Sequence, residues 1–125
     1  MQGAHTRGAD VLIAVDVGTS GARASGFDVS GAPLDEVRRS YPTYLPAEGW
    51  AEQDARRWRS AALSALGALV RILGPRIGVR AVAVTGQCPS VVPLDRRGRP
   101  LRAGLIYRDN RATAEADWLR GRFGD

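Results

Sequence analysis

VLIAVDVGTSGAR, residues 11–23, is the stretch on which the fold turns. Five apolar residues from Val11 to Val15 run into Asp16, then into a turn built from Gly18, Thr19, Ser20 and Gly21, with Arg23 two residues beyond. An apolar run this short, rich in Val and Ile and closed by a glycine cluster, predicts a buried strand rather than a helix. Asp16 then stands at the strand's end, where an ionised carboxylate needs a water-filled cleft or a bound cation beside it. A turn of small residues lets backbone N–H groups converge on an anion, and two hydroxyls add donors. Two readings follow from the stretch alone: a phosphate cradle with its metal, or a plain β-turn whose Asp and Thr bond their own backbone.

Composition narrows the class. A chain of 125 residues has the length of one domain, and 44% apolar with 25% charged residues is the balance of a globular protein. No apolar run approaches the ~20 residues that a bilayer span requires, so no membrane partner is expected. Residues 1–10 read as a flexible polar tail without the apolar core of a signal peptide. Cys88 is the sole cysteine, which excludes an intrachain disulfide and makes the cytoplasm the default location. The net charge of +5 invites a nucleic-acid reading. Against it, all 18 basic residues are Arg, they recur along the chain without clustering, and aromatics make up only 6%. No nucleic-acid partner is expected. His5, the one histidine, has no neighbouring Cys, Asp or Glu, which argues against a metal set or a serine–histidine–acid triad.

Beyond the opening turn, residues 22–27 and 34–41 read as two further strands separated by a turn at 28–32, the second strand exposed. The phosphate loop would therefore lie within a strand meander. Dinucleotide-binding loops and P-loops instead open a helix, and neither the GxGxxG nor the GxxxxGK string occurs. A loop at 42–53 precedes Asp54, placed to cap a helix over ARRWRSAALSALGALVRIL with Trp58, Ala62, Leu66, Leu69 and Leu73 on its apolar face and Gly74–Pro75 at its end. Trp58 reads as a core anchor. Residues 80–86 form a second short apolar strand, residues 91–94 and 101–107 suggest a hairpin around DRRGRP, and a last helix is expected from near Arg111 with Ala114, Trp118 and Leu119.

Three segments together resemble one family. DVGTSGAR at 16–23, GWAEQD at 49–54 and VTGQCPSVVPLDRRGRPLRAGLIYRDNRA at 84–112 are similar, in order and spacing, to the N-terminal part of the FGGY carbohydrate kinases, xylulokinase-like members in particular. The resemblance implies an α/β architecture of the actin-like ATPase or ribonuclease H-like kind: a mixed sheet that begins with an antiparallel three-strand meander, plus helices. It implies ATP-dependent phosphorylation of a sugar or polyol hydroxyl. Asp16 would hold Mg2+ through water, Gly18, Thr19 and Ser20 would contact the transferring phosphates, and Arg23 would be their charge partner. Phosphoryl transfer depends mainly on electrostatic positioning, which suits such a set. The resemblance also places the 87–90 and 107–111 segments at the sugar pocket, with Gln87 and Asp109 as hydroxyl partners and Cys88 and Arg111 beside them. Arg111 is open to a structural ion-pair role as well.

The departures matter equally. Xylulokinases usually carry Met-His where this chain has Cys88–Pro89, and Trp where it has Tyr107, which leaves the sugar open. Glu52 and Gln53 are expected to fix the loop before the helix. Family members are several times longer, and their general-base aspartate comes from a later segment. Residues 11–125 are therefore expected to be an incomplete first kinase domain, inactive by itself and without a catalytic residue of its own, its C-terminal portion missing. The other class of reading is an interaction module that keeps the phosphate loop and self-associates through an uncovered sheet face or edge.

Overall fold

The computed structural model describes residues 8–124. His5 and most of the expected tail lie outside the described residues. The described residues run β1 (Asp10–Val17), β2 (Gly21–Asp28), β3 (Pro33–Ser40), β4 (Glu52–Gln53), α1 (Ala55–Leu73), β5 (Gly78–Gly86), β6 (Gly104–Leu105) and α2 (Thr113–Phe123). They fall into two compact units. One holds the described residues up to Tyr41 together with Arg57–Gly86; the other holds Pro42–Arg56 and the residues from Gln87 onward.

The first unit is a mixed four-stranded sheet in the order β3-β2-β1-β5. β1, β2 and β3 form the expected antiparallel meander, and β5 runs parallel to β1. Strand alternation decides which side is core. Val11, Ile13 and Val15 of β1, Ala24 of β2 and Val37 of β3 point to one face and pack with Ala65, Ala68 and Leu69 of α1. Small alanines on the helix let it lie close to the sheet, and Leu69, fully buried, contributes about 1.5–3 kcal/mol through its burial. The helix starts where the sequence predicts, since the Asp54 Oδ1 accepts the Arg56 N–H at 2.9 Å. It stops at Gly74, whose φ of 86° few other residues adopt. Trp58 packs against Ala22, Tyr41 and Ala61 as an anchor of that core.

Strand boundaries differ from the sequence reading in this unit. β1 takes in Asp10, the last residue of the expected tail, and the Ala9 carbonyl accepts the Gly78 N–H at 2.9 Å. β5 starts at Gly78 rather than Arg80. Its Val79, Val82 and Val84 are exposed, because β5 is the sheet's edge strand among the described residues.

In the second unit the expected hairpin around residues 95–100 reduces to two isolated bridges, Val91 to Leu105 and Leu94 to Pro100. Pro93 and Pro100 lack the N–H that a continuous ladder needs. Asp95 closes the turn instead, its Oδ1 accepting the backbone N–H groups of Arg97 and Arg99. β6 pairs with β4, so the chain around Glu52–Gln53 becomes a strand rather than a loop. α2 begins at Thr113, two residues later than expected, because Arg111 is committed to an ion pair with Asp109. No residue of α2 is buried. Among the described residues, no helix is long and apolar enough to cross a membrane.

Candidate functional site

The turn after β1 is closed by the Gly18 N–H, which donates to the Gly21 carbonyl at 3.0 Å. A Cβ on Gly18 would stand 3.9 Å from the Asp16 Oδ2 and 3.6 Å from the Gly21 carbonyl. Gly21 is held for another reason. A Cβ on it would lie 2.5 Å from the Arg39 carbonyl, so β2 approaches β3 as closely as only glycine allows. Tyr41 pins the turn from below, its phenol donating to the Gly18 carbonyl and its N–H to the Ser20 carbonyl. Burial, and then the Asp16 charge, push the phenol's pKa up, so it stays a donor.

Strand register places the charges. Asp16 stands directly opposite Arg23, and Arg23 directly opposite Arg38, all on the sheet face away from α1. The Arg23 Nη2 lies 3.3 Å from the Asp16 Oδ2. Glu36 sits beside them, accepting from the Arg38 Nε at 2.7 Å and the Ser25 Oγ at 3.0 Å, with the Arg23 Nε at 3.8 Å. Those hydrogen bonds from Arg38 and Ser25 hold the Glu36 carboxyl below the usual range. A cavity of about 400 Å³ opens here, lined by Asp16, Gly18, Ser20, Arg23, Arg38 and Arg39 among others. Thr19 does not line it. The guanidiniums of Arg23 and Arg38 face Asp16 here with Glu36 beside them, while the Arg39 side chain lies on the α1 face, its Nε donating to the Ser64 Oγ at 3.2 Å. Paired guanidiniums of this kind suit the terminal phosphates of a nucleotide.

These residues fit a hydrated magnesium phosphate. Among the described residues no group of three or more His, Cys, Asp or Glu could hold a metal ion. A cation at Asp16 would draw its other ligands from water and phosphate oxygens, the habit of Mg2+.

The residues expected at the sugar fall in the second unit. The Gln87 Nε2 donates to the Gln53 Oε1 at 2.8 Å, and the Gln53 Nε2 donates to the Thr43 Oγ1 at 2.6 Å. Gln53 is fully buried, so this amide chain fixes the orientation of Gln87 from within. It leaves the Gln87 Oε1 buried without a partner, as is the Ser90 Oγ, the two such side-chain atoms among the described residues. Such atoms are costly unless a ligand hydroxyl or a water meets them. Cys88 is an exposed free thiol.

Asp109 and Arg111 are each other's partners. The Asp109 carboxylate accepts from the Arg111 Nε at 2.8 Å, the Arg111 Nη2 at 2.6 Å and the Ala51 N–H at 2.7 Å, with only 4% of its side chain exposed. The Arg111 Nη2 also reaches the Glu52 Oε1 at 2.7 Å, and its guanidinium stacks 3.8 Å from the Trp50 ring centre. Hydrogen bonding to Arg111, chief among these contacts, holds the Asp109 carboxyl well below the ordinary carboxylate range, and Asp109 in turn raises the Arg111 pKa. The Asp109 oxygens are thus engaged inside the unit by Arg111 and Ala51, and Arg111 is held in an ion pair.

Arg38, Glu36 and Tyr41 were missed by reading local motifs. A bulge between Gly26 and Phe27 shifts the β2–β3 register by one, so counting back from the turn at 28–32 does not place Arg38 opposite Arg23. Tyr41 carried no local signal.

The geometry finds its counterpart in known proteins. Residues 11–123 match the model of the N-terminal domain of the FGGY family of carbohydrate kinases. A glycerol kinase from Rhodospirillum centenum is 33% identical over 106 residues, covering 83% of this chain and 21% of that protein. The crystal structure of a xylulose kinase from Rhodospirillum rubrum superposes with a TM-score of 0.86 at 30% identity, over 90% of this chain and 23% of that one. A Plasmodium falciparum glycerol kinase solved with ADP has the same TM-score of 0.86 at 16% identity, over 92% of this chain and 24% of that one, which speaks to the fold alone. The chain thus spans less than a quarter of the length of these relatives and shows part of the actin-like ATPase fold. With the meander, its glycine turn and the match over 11–123 in agreement, the chain belongs to the FGGY family of carbohydrate kinases.

Proposed function

We propose that this chain provides the phosphate-binding residues, and part of the hydroxyl-binding residues, of an enzyme that phosphorylates a sugar or polyol hydroxyl with MgATP. The observation that supports this reading is the cavity at the Gly18–Gly21 turn lined by Arg23 and Arg38, with Asp16 and Arg23 opposite each other at its edge. MgATP supplies the phosphoryl group and the divalent charge. Asp16 holds the hydrated cation, Arg23 offsets phosphate charge, and Gly18 with Thr19 and Ser20 lets the phosphates approach the backbone. Gln87 accepts from a substrate hydroxyl through its partnerless Oε1, and exposed Cys88 lies beside it in the chain. Asp109 and Arg111 act as a rigid pair that shapes the segment following Tyr107.

The general base belongs to a part of the protein outside these 125 residues, and the chain by itself turns over nothing. Glycerol and xylulose kinases both stand among its relatives, and Cys88–Pro89 with Tyr107 depart from the xylulokinase pattern, so the substrate class proposed is the polyol and ketose alcohols together. An ATP-consumption assay across glycerol, pentuloses, pentoses and other polyols tests the reading, run on this chain and on a longer protein that contains it. The longer protein is expected to phosphorylate at least one of them and the short chain none. Turnover by the short chain would refute its incompleteness. A longer protein inert on every alcohol would refute the function.

A further inference from the structure

We propose that Arg38 is a second cationic ligand for the terminal phosphates at the Asp16–Arg23 cradle, with Glu36 as the group that positions the two guanidiniums for them. This rests on the phosphate reading above and extends it to residues outside the local motif.

Register is the first argument. Thr85, Asp16, Arg23 and Arg38 are cross-strand neighbours in a single row over β5, β1, β2 and β3. Neighbouring strands lie ~4.8 Å apart, so Arg38 starts two strands from Asp16 and a long side chain covers that distance. Arg38 lines the same cavity as Asp16, Gly18, Ser20 and Arg23.

Charge is the second. Two cations directly opposite each other on one sheet face destabilise a strand pair unless an anion relieves them. Glu36 does so, touching both guanidiniums, closely at Arg38 (2.7 Å) and loosely at Arg23 (3.8 Å). The contacts of Arg23 with its two carboxylates are long, at 3.3 and 3.8 Å, whereas a guanidinium with five N–H donors makes shorter and bidentate bonds to phosphate. A divalent cation at Asp16 would compete with Arg23 for that carboxylate and turn Arg23 toward an incoming anion. Arg38 faces the same space with its Nε engaged by Glu36, leaving the planar fork oriented by a fixed bond.

Ordinary surface pairing is the competing account of Arg38, which is 72% exposed. Such a pair contributes little to stability, so its removal leaves the fold in place and isolates any role in binding.

The test follows the arginine Nε–Hε signals of the 125-residue chain by NMR during titration with magnesium tripolyphosphate. Arg23 and Arg38 are expected to shift together along one saturation curve. Arg38→Gln should weaken binding roughly fivefold with an unchanged circular dichroism spectrum, Arg38→Lys should recover part of the loss, and Arg57→Gln on α1 should change nothing. A response at Arg23 without one at Arg38, or unaltered affinity in Arg38→Gln, overturns the role of Arg38 and leaves the cradle standing. Silence at both arginines overturns the cradle itself.

Discussion

Gly18 separates the fold from the site at the scale of one residue. A Cβ there meets only ordinary van der Waals contacts, so Gly18→Ala should change stability by no more than about 0.5 kcal/mol while its methyl crowds the approach to Asp16. Thermal melts should coincide with those of the parent, and tripolyphosphate binding should fall. Gly21→Ala, driven 2.5 Å from a backbone carbonyl, should instead damage the β2–β3 pairing. Asp109 gives a second residue-scale expectation. Its folded pKa lies below the ordinary value of 3.8, so its contribution to stability is complete above that value. The contribution is lost as pH falls from there through the depressed folded value. A carbon-13 titration should find the Asp109 carboxyl still ionised when exposed aspartates are protonated, and Asp109→Asn should remove that acid transition. A midpoint at the ordinary value would contradict the ion pair.

α1 is the element that makes the sheet a support for the cradle. Its alanine face and Leu69 bury the odd-numbered residues of β1, which turns Asp16 to the other face. Asp54 contributes the only capping bond expected from sequence at its start, to the Arg56 N–H. Asp54→Ala should therefore cost about 1 kcal/mol, read as a lower denaturation midpoint with an unchanged slope. α2 behaves differently. It buries none of its residues in its own unit, and its Trp118 and Phe123 stay exposed, so alanine substitutions there should leave the melting curve in place.

Across the whole molecule, the edge of β5 is the feature that invites pairing. Val79, Val82 and Val84 are all exposed, and Arg80 is the single charge in the strand, with no proline to discourage pairing. A second copy of the chain offers the same edge at the same concentration. Light scattering should show the mass of the 125-residue chain rising with concentration, and Val82→Lys should suppress the rise. A monodisperse monomer at high concentration would remove the interaction-module reading and leave the kinase reading untouched.

Short-range chemistry was legible in the sequence by itself. The strand ending at Asp16, the glycine turn, the meander, the capped helix over 55–73 and the family motifs all depend on residues close together in the chain. Tertiary structure alone decided what those residues face. Antiparallel register set Arg38 across from Arg23, and the fold carried Tyr41 under the Gly18 carbonyl. The approach of residues 49–53 to 104–111 placed Asp109 against Ala51 and Arg111 against Trp50 and Glu52, closing a carboxylate that the motif alone presented as open. Local patterns specify backbone conformation through steric and hydrogen-bonding rules within a few residues. Partners from about fifteen to about sixty positions apart are chosen by packing, which no local pattern contains.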